Sequence, residues 1–374
     1  MRFGHLNKTF AQFVIIIAAY LFAPANLQAQ YYNRSPYQDF VIAHNKIYVL
    51  LGDRTIKSFS LDNVKAVERY KPDTTIRLIT TDHNGDAVIV EDNKTVKRFD
   101  EKKDRWENIA SYAGKILYTI AFNNQNEGFL ITDEGIFDLK TKKEYFPDRT
   151  LSHSEWAFRG QSGWGADDYA ISTFTDSDND IWIWFSHGEW GDDLFIFNDH
   201  TFLPFAGETV APEFEYNGHI YGTYSGLIRN VVVRYDRQYK HNSSLFQYKA
   251  TLVYNSEKDP SYAKLSLSDD IGSRTYNALN GCFYVMSSKG LLKGDPRKAI
   301  SEFSDWKLVK TLVIPKRKDP FFESVPFKYK KTTKPHWIPE YTGKIEFTSK
   351  GILVILMDEK GIGIFDGKKL KVVK

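Results

Sequence analysis

The segment His187-Gly188-Glu189-Trp190-Gly191-Asp192-Asp193 puts an imidazole, three carboxylates and an indole into seven residues. An aromatic plate beside carboxylates suits a carbohydrate, whose C–H face lies on the ring while its hydroxyls meet polar groups. A second stretch has the same ingredients: His153, Glu155, Trp156, Arg159 and Trp164, followed by Asp167 and Asp168. The two segments together form the expected ligand site, with Trp337 as a further aromatic contributor. No metal is expected, because the two H-x-E pairs lack the paired cysteines of a zinc deaminase and the spacing fixes no set of three or four ligands. Asp176 to Asp180 imitates the start of a calcium loop, but Ile181 stands at position six and His187 at position twelve. A turn entering a strand explains that stretch better than an EF-hand does. No cofactor is expected either, since the chain has no dinucleotide fingerprint and no phosphate-cradling glycine loop, and it also lacks a G-x-S-x-G elbow. His153, His187, Arg274 and Tyr276 are the residue types with which a polysaccharide lyase abstracts or neutralises the acidic proton beside a uronate.

What must position these residues is a repeat. NKIYVLLGDRTIKSF from Asn45 and NGDAVIVEDNKTVKRFD from Asn84 match position by position, and further copies begin near Asn126, Asn179, Asn217, Asn280 and Ser349. Each copy is a polar turn, an apolar strand, a short Gly/Asp turn and a second strand. A period of about 40 residues with four short strands per unit predicts an all-β fold, a seven-bladed β-propeller with four-stranded antiparallel blades. Blade one is expected as Phe40–Ala43, Ile47–Leu51, Thr55–Ser60 and Val64–Tyr70. Blade two is expected as Thr75–Thr80, Ala87–Val90, Thr95–Phe99 and Trp106–Ala110, and blade three as Leu117–Phe122, Phe129–Ile131, Ile136–Leu139 and Glu144–Phe146. Lys344–Thr348, Ile352–Leu356, Gly361–Phe365 and Leu370–Val373 supply a complete last blade, so the ring is expected to close by sheet packing. The alternative is that Tyr31–Pro36 pairs with the open edge of that blade.

Arg2 and Lys8, an apolar run from Phe13 to Ala23 and a small-residue exit ending at Ala29 form a secretory signal peptide. Residues 1–29 are therefore expected to be removed and 30–374 to fold as one domain, exported to the periplasm or beyond and without a membrane span. Pro24 ends the apolar run well short of the roughly 20 residues that cross a bilayer. Cys282 is the only cysteine, so no intrachain disulfide can form. The net charge of +3 hides a local excess: Lys316, Arg317, Lys318, Lys328, Lys330, Lys331 and Lys334 face only Asp319 and Glu323 between residues 314 and 335. In an exported chain that basic, aromatic-rich loop reads first as a solvated loop, and next as a surface for an anionic polysaccharide, a lipid headgroup or a partner protein ahead of nucleic acid.

Long connections fall at 149–169, at roughly 236–276 and at 315–342, each between the last strand of one blade and the first of the next. The enlarged turn His187–Asp193 opens onto the same face, and insertions in repeat proteins gather on the working face. Gly135-Ile136-Phe137-Asp138, Gly226-Leu227-Ile228, Gly290-Leu291-Leu292 and Gly361-Ile362-Gly363-Ile364-Phe365-Asp366-Gly367 resemble the two-component regulator propeller repeat. Asp178-Asn179-Asp180-Ile181-Trp182 is similar to its first half, with Asp180 in the glycine position. The resemblance implies a secreted propeller that senses oligosaccharides, here standing alone without the kinase parts. Three functions follow as expectations: a glycan-binding module, a polysaccharide lyase or glycoside hydrolase on the same scaffold, or an interaction platform for an envelope protein.

Overall fold

The computed structural model describes residues 36–374 other than 64–65, 73, 114–115, 148–157, 159–169, 187–191, 204–208, 226–229, 240–245, 256–270, 288–289, 296–305, 319–336, 340–341 and 358. Blade one consists of β1 (Tyr37–Ala43), β2 (Lys46–Leu51), β3 (Ile56–Ser60) and β4 (Ala66–Tyr70). Blade two is β5 (Ile76–Thr81), β6 (Ala87–Glu91), β7 (Thr95–Asp100) and β8 (Arg105–Ser111), and blade three is β9 (Leu117–Phe122), β10 (Gly128–Thr132), β11 (Gly135–Asp138) and β12 (Glu144–Tyr145). Blade four is β13 (Ala170–Thr175), β14 (Ile181–Ser186), β15 (Asp192–Asn198) and β16 (Thr201–Leu203), and blade five is β17 (Ala211–Tyr216), β18 (His219–Ser225), β19 (Asn230–Tyr239) and β20 (Phe246–Asn255). Blade six is β21 (Ile271–Asn277), β22 (Cys282–Ser287), β23 (Gly290–Gly294) and β24 (Lys307–Leu308). A ribbon of β25 (Lys316–Lys318) and β26 (Trp337–Pro339) precedes blade seven, which is β27 (Thr342–Phe347), β28 (Leu353–Met357), β29 (Gly361–Phe365) and β30 (Leu370–Val373). The strands expected in blades one to three and seven are all present, with ends displaced by at most three residues.

A four-stranded sheet cannot bury both faces alone, and here each is covered by its neighbours. The apolar core divides into seven slabs, one per blade interface. The second strand of a blade lies between two such slabs, which is why β6, β10 and β28 are buried along their whole length and read as continuous apolar runs. The slab of Phe40, Ile47, Val49 and Phe59 with Val354, Leu356, Ile362 and Ile364 joins blade seven to blade one. Blade seven draws all four strands from the C-terminal end of the chain, so the ring closes by packing. Of the alternative closing segment only Pro36 is described, and its carbonyl accepts the Gly52 N–H at 3.0 Å within blade one.

Two devices repeat from blade to blade. The turn between first and second strands is capped by a buried side chain: Asp82, Asn123, Asp176 or Thr348 accepts the backbone N–H four residues on. The position before that N–H takes a left-handed conformation, at Gly85, Asn126, Asn179 and Gly351. This corrects the motif alignment, since the glycine position in blade four is Asn179 (φ +71°) and not Asp180, and the capping residue is Asp176. The second device is a bulge near the start of the innermost strand in every blade except the fourth. Bulges bend a strand and re-aim its side chains, and these recur around the ring.

Glycine begins the third strand of blades three and seven for a steric reason. Gly135 and Gly361 have φ of +101° and +113°, and a Cβ there would lie 2.3 Å from the Tyr145 carbonyl and 2.0 Å from the Val373 carbonyl. Gly361→Ala should therefore destabilise the fold by at least about 2 kcal/mol in denaturant unfolding. Gly85→Ala, at φ +80° with no atom within 4 Å, should cost clearly less, because it carries the conformational penalty without the collision. Equal losses in the two variants would show that the collision is relieved at no cost.

Two expected boundaries are corrected. The stretch 236–276 is not one long connection, because β19 and β20 continue the outer hairpin of blade five through Tyr239 and Asn255. The enlarged turn of blade four is narrower than His187–Asp193, because Asp192 pairs with Ser186 and Asp193 with Phe185 inside the sheet.

Candidate functional site

Of the residues expected to bind ligand, His153, Glu155, Trp156, Arg159, Trp164, His187, Glu189 and Trp190 lie outside the described residues. Asp192 and Asp193 are the first two residues of β15, and Trp337 begins β26 in the ribbon outside the blades, opposite Lys318. Ala170, Ser186 and Asp192 are register partners at one end of blade four, so the described ends that flank the two candidate segments share one face. Phe158 anchors the long connection between blades three and four: it is fully buried against Phe146, Phe185 and Phe195, and its carbonyl accepts the Tyr118 hydroxyl at 2.6 Å.

The opposite ends of blades three and four form a cavity of about 460 Å³, within the range of small-ligand sites. Three turns wall it: Asn123–Glu127 between β9 and β10, Asp178–Asn179 between β13 and β14, and Asn198–His200 between β15 and β16. Phe129, Ile181 and Phe197 are its apolar floor. Asp199 and His200 both have positive φ, 44° and 64°, the two-residue hairpin geometry that fixes where their side chains emerge. Asn124 ties the inner edge shut: its N–H donates to Asn179 Oδ1 at 2.7 Å and its side chain to the Asp176 carbonyl at 2.8 Å. At the outer edge the His200 ring lies 5.0 Å from Tyr145, with Nε2 3.4 Å from Asp138 Oδ2. Burial pushes Asp138 up, but hydrogen bonds from Thr141, Lys140 and His200 outweigh it and hold the carboxyl below its ordinary value.

Behind the Asp178–Asn179 wall lies a buried network supplied by blade five. Asp176 Oδ2 accepts Trp182 Nε1–H at 2.9 Å and lies 3.3 Å from the Tyr248 hydroxyl oxygen. Asp180 accepts from Tyr248, from Asn198 and, at 2.8 Å, from Arg237 Nη2, while Arg237 Nη1 holds Asp178. Arg237 and Tyr248 stand on β19 and β20, close to the far end of the long hairpin, so blade five buttresses the blade-four side of the cavity. Burial, and then the Asp180 charge acting against the Trp182 hydrogen bond, pushes Asp176 up to about 6. Burial followed by the Asp176 and Asp180 contacts also raises Tyr248.

No protein-family model and no curated protein sequence matches the chain. Solved structures do. The β-propeller domain of Cps50 (Swd1) from Myceliophteria thermophila superposes with a TM-score of 0.53 at 10% identity, covering 91% of this chain and 98% of that one. YCF48 from Cyanidioschyzon merolae gives 0.51 at 13% identity over 88% and 94%. At such identities the likeness shows the β-propeller fold, which a binding or interaction scaffold shares with many others.

The free hydrogen-bonding groups around the cavity are of mixed character. The Gln125 backbone N–H donates to Asn123 Oδ1 at 3.1 Å, while its exposed side chain makes no hydrogen bond among the described residues; Asn179 keeps its amide N–H₂ and Asn198 its amide carbonyl. Asp199 is 96% exposed, with His200 Nδ1 at 3.7 Å. Donors, acceptors and carboxylates over a small apolar floor can hold a hydroxyl-rich ligand. Gln125, Glu127, Asn198, Asp199 and His200 carried no functional expectation from the sequence. The one local signal was Asn198-Asp199-His200 between two apolar strands, a hairpin turn by composition.

Proposed function

We propose that this chain is an exported, ligand-binding propeller and that the cavity between blades three and four takes a carbohydrate. The observation that carries this reading is the cavity itself, ringed by uncommitted side-chain amide groups and the exposed Asp199 carboxylate over Phe129 and Phe197. The signal-peptide pattern and the resemblance of the repeats to the two-component regulator propeller repeat support the same reading from the sequence. The end of blade four marked by Ala170, Ser186 and Asp192, next to the His153 and His187 segments in sequence, is a second candidate for the same ligand class, favoured by the three Trp residues of those segments. A lyase or hydrolase reading draws less support. Arg274 is bonded to Glu213, and Tyr276 stacks on Phe214 at 4.4 Å, so both serve the inner walls of blades five and six.

A thermal-shift screen of residues 30–374 against neutral and anionic oligosaccharides tests the proposal, because a ligand that binds only the folded state raises the melting temperature. The expected result is a shift with at least one glycan that is lost in Gln125→Ala/His200→Ala, whose side chains are exposed, and kept in Trp190→Ala. Loss in Trp190→Ala alone would move the site to the opposite face. No shift with any glycan would leave the interaction-platform reading, to be pursued by partner capture from envelope extract.

A further inference from the structure

We infer that the blade three–four cavity accepts uncharged sugar units and excludes uronates, with Asp199 and Asp178 as the residues that set this selectivity. The inference rests on the carbohydrate reading and adds the charge class of the ligand. Its basis is the sign of every charged side chain on the wall. Among the described residues Glu127, Asp178 and Asp199 line the cavity, and no Lys or Arg does. Two cations are already engaged with the lining carboxylates: Lys140 bonds Glu127 at 2.6 Å, and Arg237 holds Asp178 together with Asp180. His200 is flanked by Asp138 at 3.4 Å and Asp199 at 3.7 Å, so even its imidazolium form is balanced by carboxylates on both sides.

A uronate carries a carboxylate where a neutral hexose carries a hydroxymethyl group. In this cavity it would find no free cation to pair with and would face the exposed Asp199 side chain. Like charges brought together at a rim weaken binding and slow association, an effect that salt screens. A neutral sugar instead finds a donor and an acceptor for its hydroxyls in Gln125, a donor in Asn179 and an acceptor in Asn198.

The experiment is calorimetric titration of residues 30–374 with cello-, manno- and galacto-oligosaccharides, each paired with its C6-oxidised counterpart. At low salt the oxidised member of a bound pair should be at least about tenfold weaker. Raising the salt should narrow the gap. Asp199→Asn, which preserves the left-handed turn residue, should narrow it by about threefold, and Asp178→Asn should add to that. An oxidised member that binds as tightly as its neutral partner overturns the inference and leaves the carbohydrate reading standing. A gap that neither substitution moves also overturns it, because the discrimination then arises elsewhere. Failure of every oligosaccharide to bind overturns the carbohydrate reading, and the inference with it.

Discussion

Arg237→Met should lower the unfolding free energy by roughly 3 kcal/mol at neutral pH, the cost of breaking a buried ion pair from one side. The guanidinium is 17% exposed and bridges Asp178 and Asp180, the second of which is fully buried. Methionine keeps most of the aliphatic stem, so the loss reports the charge and its hydrogen bonds more than packing. Arg237→Lys should recover less than half of it, because an ammonium cannot reach both carboxylates with a fixed fork. Asp178→Asn, which removes only the more exposed partner, should cost under about 1 kcal/mol. Urea unfolding of the three variants gives the comparison. A loss below about 1 kcal/mol in Arg237→Met would mean that apolar packing alone docks the blade-five hairpin on blade four.

The contrast between what the sequence shows and what it hides follows from range. A blade is made of neighbours in sequence, so apolar strands bounded by Asn, Asp and Gly predicted the ring, and Gly135 and Gly361 were readable because one residue's φ demands them. The buttress was not readable: Arg237 and Tyr248 lie 57 and 68 residues from Asp180, in a stretch whose polar residues resemble a connection. Only the pairing of β19 with β20 shows that stretch to be strand. The bulges leave no mark either, because they depend on how an inner strand meets its partner. The cavity walls are turns, and Asn, Gln and Asp are ordinary turn residues, so composition cannot separate a wall from any other hairpin end. The His153 and His187 segments were conspicuous for the opposite reason. Tryptophan and histidine are unusual in turns, which marks a segment without locating what it faces.

Asp176 should make the stability of this fold decline with rising pH across the mildly acidic range. Its carboxyl is raised from the ordinary 3.8 to about 6, first by burial and then, against the Trp182 hydrogen bond, by the charges of Asp180 and Asp178. Between about pH 4 and 6 the folded chain keeps a proton that the unfolded chain has released, so this group favours folding most below pH 4 and progressively less up to 6. The protonated form has a bonding solution. Asp176 Oδ2 can donate to the Tyr248 oxygen 3.3 Å away, while Tyr248 donates onward to Asp180. Above pH 6 the ionised carboxyl and its two neighbours are held together by Arg237 and the Trp182 N–H, at a cost of roughly 2–3 kcal/mol relative to the acid form. Asp176→Asn removes the titration, so the informative quantity is the wild-type stability minus that of the variant, measured at pH 4 and again at pH 7.5. His44, raised chiefly by its hydrogen bond to Asp86, is present in both proteins and cancels in the difference. The difference should move by roughly 2–3 kcal/mol in favour of the variant as the pH rises. A difference that stays flat, or moves toward the wild type, would mean that water reaches Asp176 and that the wall behind the cavity is open. In that case the Arg237 bridge would be working in solvent, and the loss expected for Arg237→Met should shrink with it.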